Sequence, residues 1–191
     1  MKRIFLFDFD GTITKKDSFL LFTYHSVNIL TFFCYWFKTI LLICFSSVPK
    51  SKLKESFFLN FENISAKKFQ LICDNFVNKY FDKIIKENFF EYVNKLGPED
   101  TIVIVSASIR NYLYPWCKDN GFNLICTELE EIDQRLTGAF KTPNCNFNEK
   151  VNRILKEYEM NEFDEIYAFG DSPGDYEMMK LANKKYFKYF K

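Results

Sequence analysis

The sequence predicts an α/β protein: a mostly parallel sheet with an all-helical insertion placed after its first strand. Two patterns carry that prediction. Short apolar runs recur with helically spaced segments between them, and from residue 16 to 96 the strand pattern gives way to helical spacing throughout. At 191 residues the chain suits one compact domain, or a core with one sizeable insertion.

Residues 3–7 form a short apolar run that leads into an acidic pair, as a buried parallel strand does. Similar runs stand at 101–105, 123–126 and 165–169. Between them, Ile109, Leu113, Trp116 and Cys117 lie on one helical stripe before Gly121, and Val151, Ile154, Leu155 and Tyr158 lie on another. Inside the insertion, Phe69, Ile72, Phe76 and Tyr80 make one stripe, and Ile85, Phe89, Tyr92 and Leu96 a second. Gly97-Pro98 then stops the last helix.

Residues 19–37 carry no formal charge, and a run of that length approaches the roughly 20 apolar residues that span a membrane. Thr23, His25, Ser26, Asn28 and Thr31 interrupt its first half, and Lys38 separates it from the apolar stretch 40–45. The expectation is therefore buried helices of the insertion. A greasy surface that meets lipid or a partner is the alternative.

Composition removes several function classes. Nearly half of the residues are hydrophobic, so a buried interior is expected. The net charge of +1 gives no basic footprint for nucleic acid. Six cysteines (Cys34, Cys44, Cys73, Cys117, Cys126, Cys145) stand far apart with no C-x-x-C pair, against zinc and redox motifs. Strand-like residues begin at Ile4, with no signal peptide ahead of them, so reduced thiols in a cytoplasmic protein are expected. The single histidine, His25, has no nucleophile-elbow pattern beside it, and a multi-histidine metal site is impossible. Hydrolytic chemistry in this chain has to run on carboxylates.

Four polar clusters follow the strand runs: Asp8-Phe9-Asp10-Gly11-Thr12, Ser106-Ala107-Ser108, Lys150, and Gly170-Asp171-Ser172-Pro173-Gly174-Asp175. Each alone could be a turn or a helix cap. In parallel α/β sheets, however, ligands sit at the carboxyl ends of the strands, where the set would converge. Carboxylates crowded so closely need a cation, and oxygen-only donors suit Mg²⁺.

Taken in this order, the clusters resemble the four signature motifs of the haloacid dehalogenase superfamily of phosphotransferases. The stretches from Cys126 to Gly138 and from Pro143 to Lys150, with a helical insertion between the first two motifs, look like its phosphoserine-phosphatase-like branch. The resemblance implies a Rossmann-like catalytic core at 1–15 and 97–191 and a helical cap, of the C1 type, at 16–96. It implies Asp8 as nucleophile, forming an aspartyl-phosphate, and Asp10 as acid and then base. Mg²⁺ would be held by the Asp8 side chain, the Asp10 carbonyl and Asp171, with Asp175 as a further ligand or orienting group. Lys150 would neutralise Asp8 and the phosphate. Gly11, Thr12, Ser106 and the Ala107 N–H would line the phosphate site.

The resemblance implies a soluble phosphorylated metabolite as substrate, and the cap selects which. Asp17 matches the acidic cap residue that binds the substrate ammonium in phosphoserine phosphatases, or it caps the helix that follows. Those enzymes clamp the substrate carboxylate with a cap arginine. Here Arg3, Arg110, Arg135 and Arg153 all lie outside the insertion, leaving lysines such as Lys52 or Lys54 as weaker substitutes. Gly174 stands where that branch has a phosphate-contacting asparagine. The expectation is a small amino-alcohol phosphate. The alternatives are a lipid head-group phosphatase of the phosphatidylglycerophosphatase type, suggested by Phe32-Phe33-Cys34-Tyr35-Trp36-Phe37, and a phosphotransferase or mutase.

Overall fold

The computed structural model describes residues 1–45 and 48–190. Strand β1 (Arg3–Phe7) opens the chain, followed by helices α1 (Ser18–Ser26), α2 (Ile29–Phe45), α3 (Lys50–Phe58), α4 (Ala66–Ile84) and α5 (Glu87–Val93). Then come β2 (Thr101–Ile109), α6 (Arg110–Asp119), β3 (Asn123–Thr127), β4 (Leu129–Ile132) and β5 (Arg135–Phe140). Helix α7 (Asn148–Glu157), β6 (Glu165–Gly170), α8 (Tyr176–Lys180) and β7 (Lys184–Phe187) complete it.

The main sheet runs in the order β3-β2-β1-β6-β7, every neighbour parallel. The period of two sorts its side chains. Ile4 and Leu6 join Val103, Val105 and Ala168 on the face that packs against Ile154 of α7 and Met178 of α8. Phe5 and Phe7 join Ile104 and Phe169 on the opposite face. There an aromatic ladder crosses three strands, with ring centroids 4.5 Å apart for Phe7–Phe169 and 4.7 Å for Phe169–Tyr186.

The chain leaves the core at Thr14 and returns at Ile85, where the two crossings pair as an antiparallel bridge. Lys15 N donates to Ile84 O at 2.7 Å and Lys86 N to Ile13 O at 2.9 Å, closing this neck. Beyond it, Phe22, Phe57, Phe58, Phe69 and Phe76 form a fully buried aromatic centre for the insertion. Helix α5 instead covers the sheet, with Phe89 edge-on to Phe7 at 5.3 Å and Tyr92 edge-on to Phe169 at 5.3 Å.

Three expectations change. The aromatic run is not wholly buried: α2 turns Phe32, Tyr35, Trp36 and Thr39 inward but leaves Phe33, Phe37, Ile40 and Phe45 exposed. Among the described residues, no helix is long and apolar enough to cross a membrane. Secondly, Ser106 and Ser108 lie inside β2 rather than after it, because the strand continues through an irregular register to Ile109. Lys150 likewise follows no core strand directly; it sits in the first turn of α7. Thirdly, β4, β5 and β7 go beyond the predicted strands. β4 and β5 form an antiparallel hairpin that grips the insertion. Asn63 N donates to Leu136 O at 2.8 Å, Leu136 N to Ile64 O at 3.0 Å, and Phe140 N to Glu55 Oε1 at 2.8 Å.

Candidate active site

The site forms where β1, at the sheet's centre, ends between β2 and β6, the switch point at which such sheets bind ligands. Asp8 continues the parity of Ile4 and Leu6 and so meets α7, which supplies Lys150. Lys150 is 1% exposed. Its ammonium has three protons and three acceptors: Asp8 Oδ1 at 2.6 Å, Asp175 Oδ1 at 2.7 Å and Val105 O at 2.9 Å. Asp8 Oδ2 accepts from Thr12 Oγ1 at 2.9 Å, and that hydroxyl also lies 3.3 Å from Asp171 Oδ1.

The loop after Asp8 depends on Gly11, whose φ of +83° belongs to the left-handed region. A Cβ there would stand 2.4 Å from Asp171 Oδ2. Lys86, at the foot of α5, fastens this loop from outside by donating to Gly11 O at 2.8 Å, Thr12 O at 3.1 Å and Phe190 O at 3.0 Å. In the fourth cluster, a turn at Pro173–Asp175 brings Asp175 back on its own strand. Asp175 Oδ2 accepts from Ser172 N at 3.0 Å and Ser172 Oγ at 2.9 Å, while Oδ1 takes Lys150. Both Asp175 oxygens are thus hydrogen-bonded.

Asp10 points the other way, toward the insertion. Its Oδ1 accepts from Ser18 N at 2.6 Å and its Oδ2 from Ser108 Oγ at 2.7 Å. Ser108 Oγ lies 3.2 Å from Ser18 Oγ, which lies 3.3 Å from Tyr112 OH, so a buried hydroxyl chain backs the second carboxylate. Ser106, 1% exposed, accepts from Ser108 N at 3.0 Å. Asp17 caps α1 by accepting from Leu20 N at 2.8 Å. The space beside Gly174 is filled by Asn146, whose Oδ1 would lie 2.3 Å from an added Cβ.

The insertion contributes a cation that the sequence ranked low. Lys54, from α3, donates to Ala107 O at 2.9 Å and lies over the Phe19 ring at 4.8 Å. Lys52 is exposed and pairs with Glu55 at 2.8 Å, away from the site. His25 packs against Phe76 and Tyr80, with centroids 5.8 and 5.5 Å away. Lys86 and Ser18 carried no local signal at all; only the neck and the α1 N-terminus bring them in.

Burial dominates the electrostatics. It pushes the Asp8 carboxyl up to about 7, against the pull of Lys150. Burial, with Asp17 next, raises Asp10 above the ordinary carboxylate range. Burial lowers Lys54, opposed by Asp10, Asp17 and Asp8, so these four groups share one electrostatic environment. Burial opposes but does not overcome the pairing with Lys150 that holds Asp175 low. Asp8, Asp171 and Asp175 each offer one carboxylate oxygen, and these oxygens lie within 4.8 Å of one another. With no nitrogen or sulfur donor among them, the set fits a hard divalent cation such as Mg²⁺.

The switch point of this parallel α/β sheet thus holds a set of carboxylates around one fully engaged lysine, roofed by helices. The chain belongs to the haloacid dehalogenase-like hydrolase family, whose model matches residues 5–180. Protein CicA of Caulobacter vibrioides is 27% identical over 190 residues, covering 97% of this chain and 85% of CicA. Among solved structures, a protein of unknown function from Bordetella pertussis superposes with a TM-score of 0.84 at 18% identity, over 97% of this chain and 89% of that one. A probable phosphoserine phosphatase from Vibrio cholerae superposes at 0.72 and 13% identity, over 98% of this chain and 56% of that one. At these identities the structural likeness establishes the fold.

Proposed function

We propose that the protein is a magnesium-dependent phosphomonoester hydrolase that works through an aspartyl-phosphate on Asp8. The observation that carries this reading is the opposed setting of two carboxylates on one turn. Asp8 is held by Lys150 and Thr12, and Asp10 faces the insertion with a raised pKa. An Asp8 oxygen attacks phosphorus, and the bond from phosphorus to the ester oxygen breaks with its electron pair. Asp10 delivers its proton to that leaving oxygen, which departs as the alcohol. Water then attacks the aspartyl-phosphate, Asp10 takes back a proton, and Asp8 is released as carboxylate with free phosphate. Lys150 favours the ionised form of Asp8 and partly offsets its burial. Ser106, the Ala107 N–H, Gly11 and Thr12 are assigned to the phosphate oxygens, and Asp175 orients Lys150. Asp8, the Asp10 carbonyl and Asp171 would hold Mg²⁺, which would supply charge neutralisation for the phosphoryl group.

For the substrate we propose a small amino-alcohol phosphate, bound in the cytoplasm under the helical cap of residues 16–96. Asp17 is its ammonium partner, in addition to capping α1. Lys54 offers the same pocket a cation, which extends the class to esters that also bear an anionic group. A lipid head-group phosphate is the second reading, favoured by the exposed face of α2.

Steady-state kinetics on phosphoserine, ethanolamine phosphate, sugar phosphates and a lysophosphatidyl ester, read as free phosphate, rank these readings. Sugar phosphates matching the amino-alcohol esters would sink the first, and phosphate passed to an alcohol would reassign the protein as a phosphotransferase. Substantial turnover by Asp8→Asn would refute the covalent route.

A further inference from the structure

We propose that the outward face of α2 docks the protein on an anionic lipid surface. The helix is apolar on both sides. One stripe is satisfied within the insertion: Tyr35 packs on Phe57 at 5.0 Å and donates to Leu53 O at 2.8 Å, and Trp36 Nε1 donates to Thr23 Oγ1 at 3.1 Å. The opposite stripe, Leu30, Phe33, Phe37, Leu41 and Phe45, repeats at helical spacing and stands in solvent, with Leu30 71% and Phe45 84% exposed. Scattered exposed apolar residues are ordinary; a continuous stripe along 17 residues is not.

The charge around this stripe identifies what covers it. Residues 18–54 contain four lysines and no aspartate or glutamate, a formal charge of +4. Of these, Lys54 reaches into the site and Lys52 pairs with Glu55, so that Lys38 is the exposed charge at the stripe. The whole chain totals +1 (26 basic against 25 acidic residues), which leaves −3 for the remainder (+1 − 4). Lys38 lies exposed within the stripe itself. A second copy meeting this face across a twofold axis would set like charge against like charge. Anionic head groups complement it, and the phenylalanines enter the acyl boundary beneath them. The helix is about 25 Å long, too short to cross the roughly 30 Å hydrocarbon layer but suited to lying along it. Docking stands independently of the reaction assigned to Asp8.

The helix carries its own probes. Cys34 and Cys44 are exposed on α2, whereas the other four cysteines are buried. The full chain is mixed with vesicles of phosphatidylcholine alone, or of equal parts phosphatidylcholine and phosphatidylglycerol. Sedimentation and the rate of maleimide labelling are then measured, with light scattering on the protein alone. The expected result is that anionic vesicles pellet the protein and slow labelling, while neutral vesicles and high salt do so far less. Phe33→Glu with Phe37→Glu should cut the partition by at least about tenfold, since two buried phenylalanines are lost. The variant should keep its circular dichroism and its hydrolysis of a soluble aryl phosphate. Protein that stays in the supernatant with unchanged labelling overturns the proposal. So does equal binding to neutral vesicles. A dimer that the double variant dissociates, with no vesicle binding, assigns the face to self-association instead.

Discussion

Lys54 Nζ bridges the insertion to the core by donating to the Ala107 carbonyl at 2.9 Å, the same segment whose N–H is assigned to the phosphate. One side chain thus ties the insertion to the core beside the carboxylates. Thr127 Oγ1 shares the acceptor at 3.1 Å, so the Ala107 peptide is fixed from both sides.

Lys54→Ala is expected to raise KM about tenfold or more, with a smaller effect on kcat, because a charge-assisted contact to an anionic substrate group is lost in ground and transition state alike. Lys52→Ala is the matched control and should leave both constants near wild type, since it is exposed and pairs with Glu55. Equal kinetics for the two variants would remove Lys54 from the site.

Asp10→Asn should reduce turnover by roughly 10²–10⁴-fold, because one group serves both proton transfers. An aryl phosphate with a good leaving group should recover the first step but not the second. Quenched reactions should therefore show accumulated phosphoprotein, absent from Asp8→Asn.

Chelation should abolish phosphate release, and added Mg²⁺ should restore it. The cation should also raise the Tm of Asp8-containing protein, by binding the native carboxylates alone. A Tm shift of the same size in Asp8→Asn with Asp171→Asn would separate the metal from these residues.

Gly11→Ala should inactivate. Left-handed backbone costs a residue with a side chain about 1–2 kcal/mol, and the new Cβ lands 2.4 Å from Asp171 Oδ2. Loss of activity should exceed the loss of stability measured by denaturant titration, since the clash falls on a site carboxylate.

Asp100 gives a pH-dependent stability. Burial would raise its carboxyl, but Arg3 Nε at 2.7 Å and Gly97 N at 2.7 Å outweigh that and hold it low. A carboxylate with a depressed folded pKa stabilises above its unfolded pKa, near 4, and loses that contribution as pH falls through the folded value. Asp100→Asn should accordingly lower Tm at pH 7 and converge with wild type in acid. A constant gap across that range would contradict the ion pair's role.

Much of the core was legible because its signals are local. β1 and β6 carry buried apolar runs, and the acidic clusters follow them as turn residues. The β4–β5 hairpin was hidden because its turn is Asp133-Gln134, both at positive φ (49° and 60°), where the usual asparagine-glycine marker is missing. β7 reads Lys-Lys-Tyr-Phe, an edge strand whose lysines guard it and mask its pattern. Lys150 and Lys54 announce nothing locally, since their partners lie 142 and 53 residues away. For α2, apolar residues on every side could not tell an inward face from an outward one.

The pairing of Thr14 with Ile85 also bears on how such a protein changes over evolution. Because the chain exits and re-enters side by side, everything between is a single side excursion, closed at its base by two backbone hydrogen bonds. Helices can be lengthened, lost or exchanged there without re-threading the sheet or moving Asp8. Selectivity can drift in one lineage while the chemistry stands still.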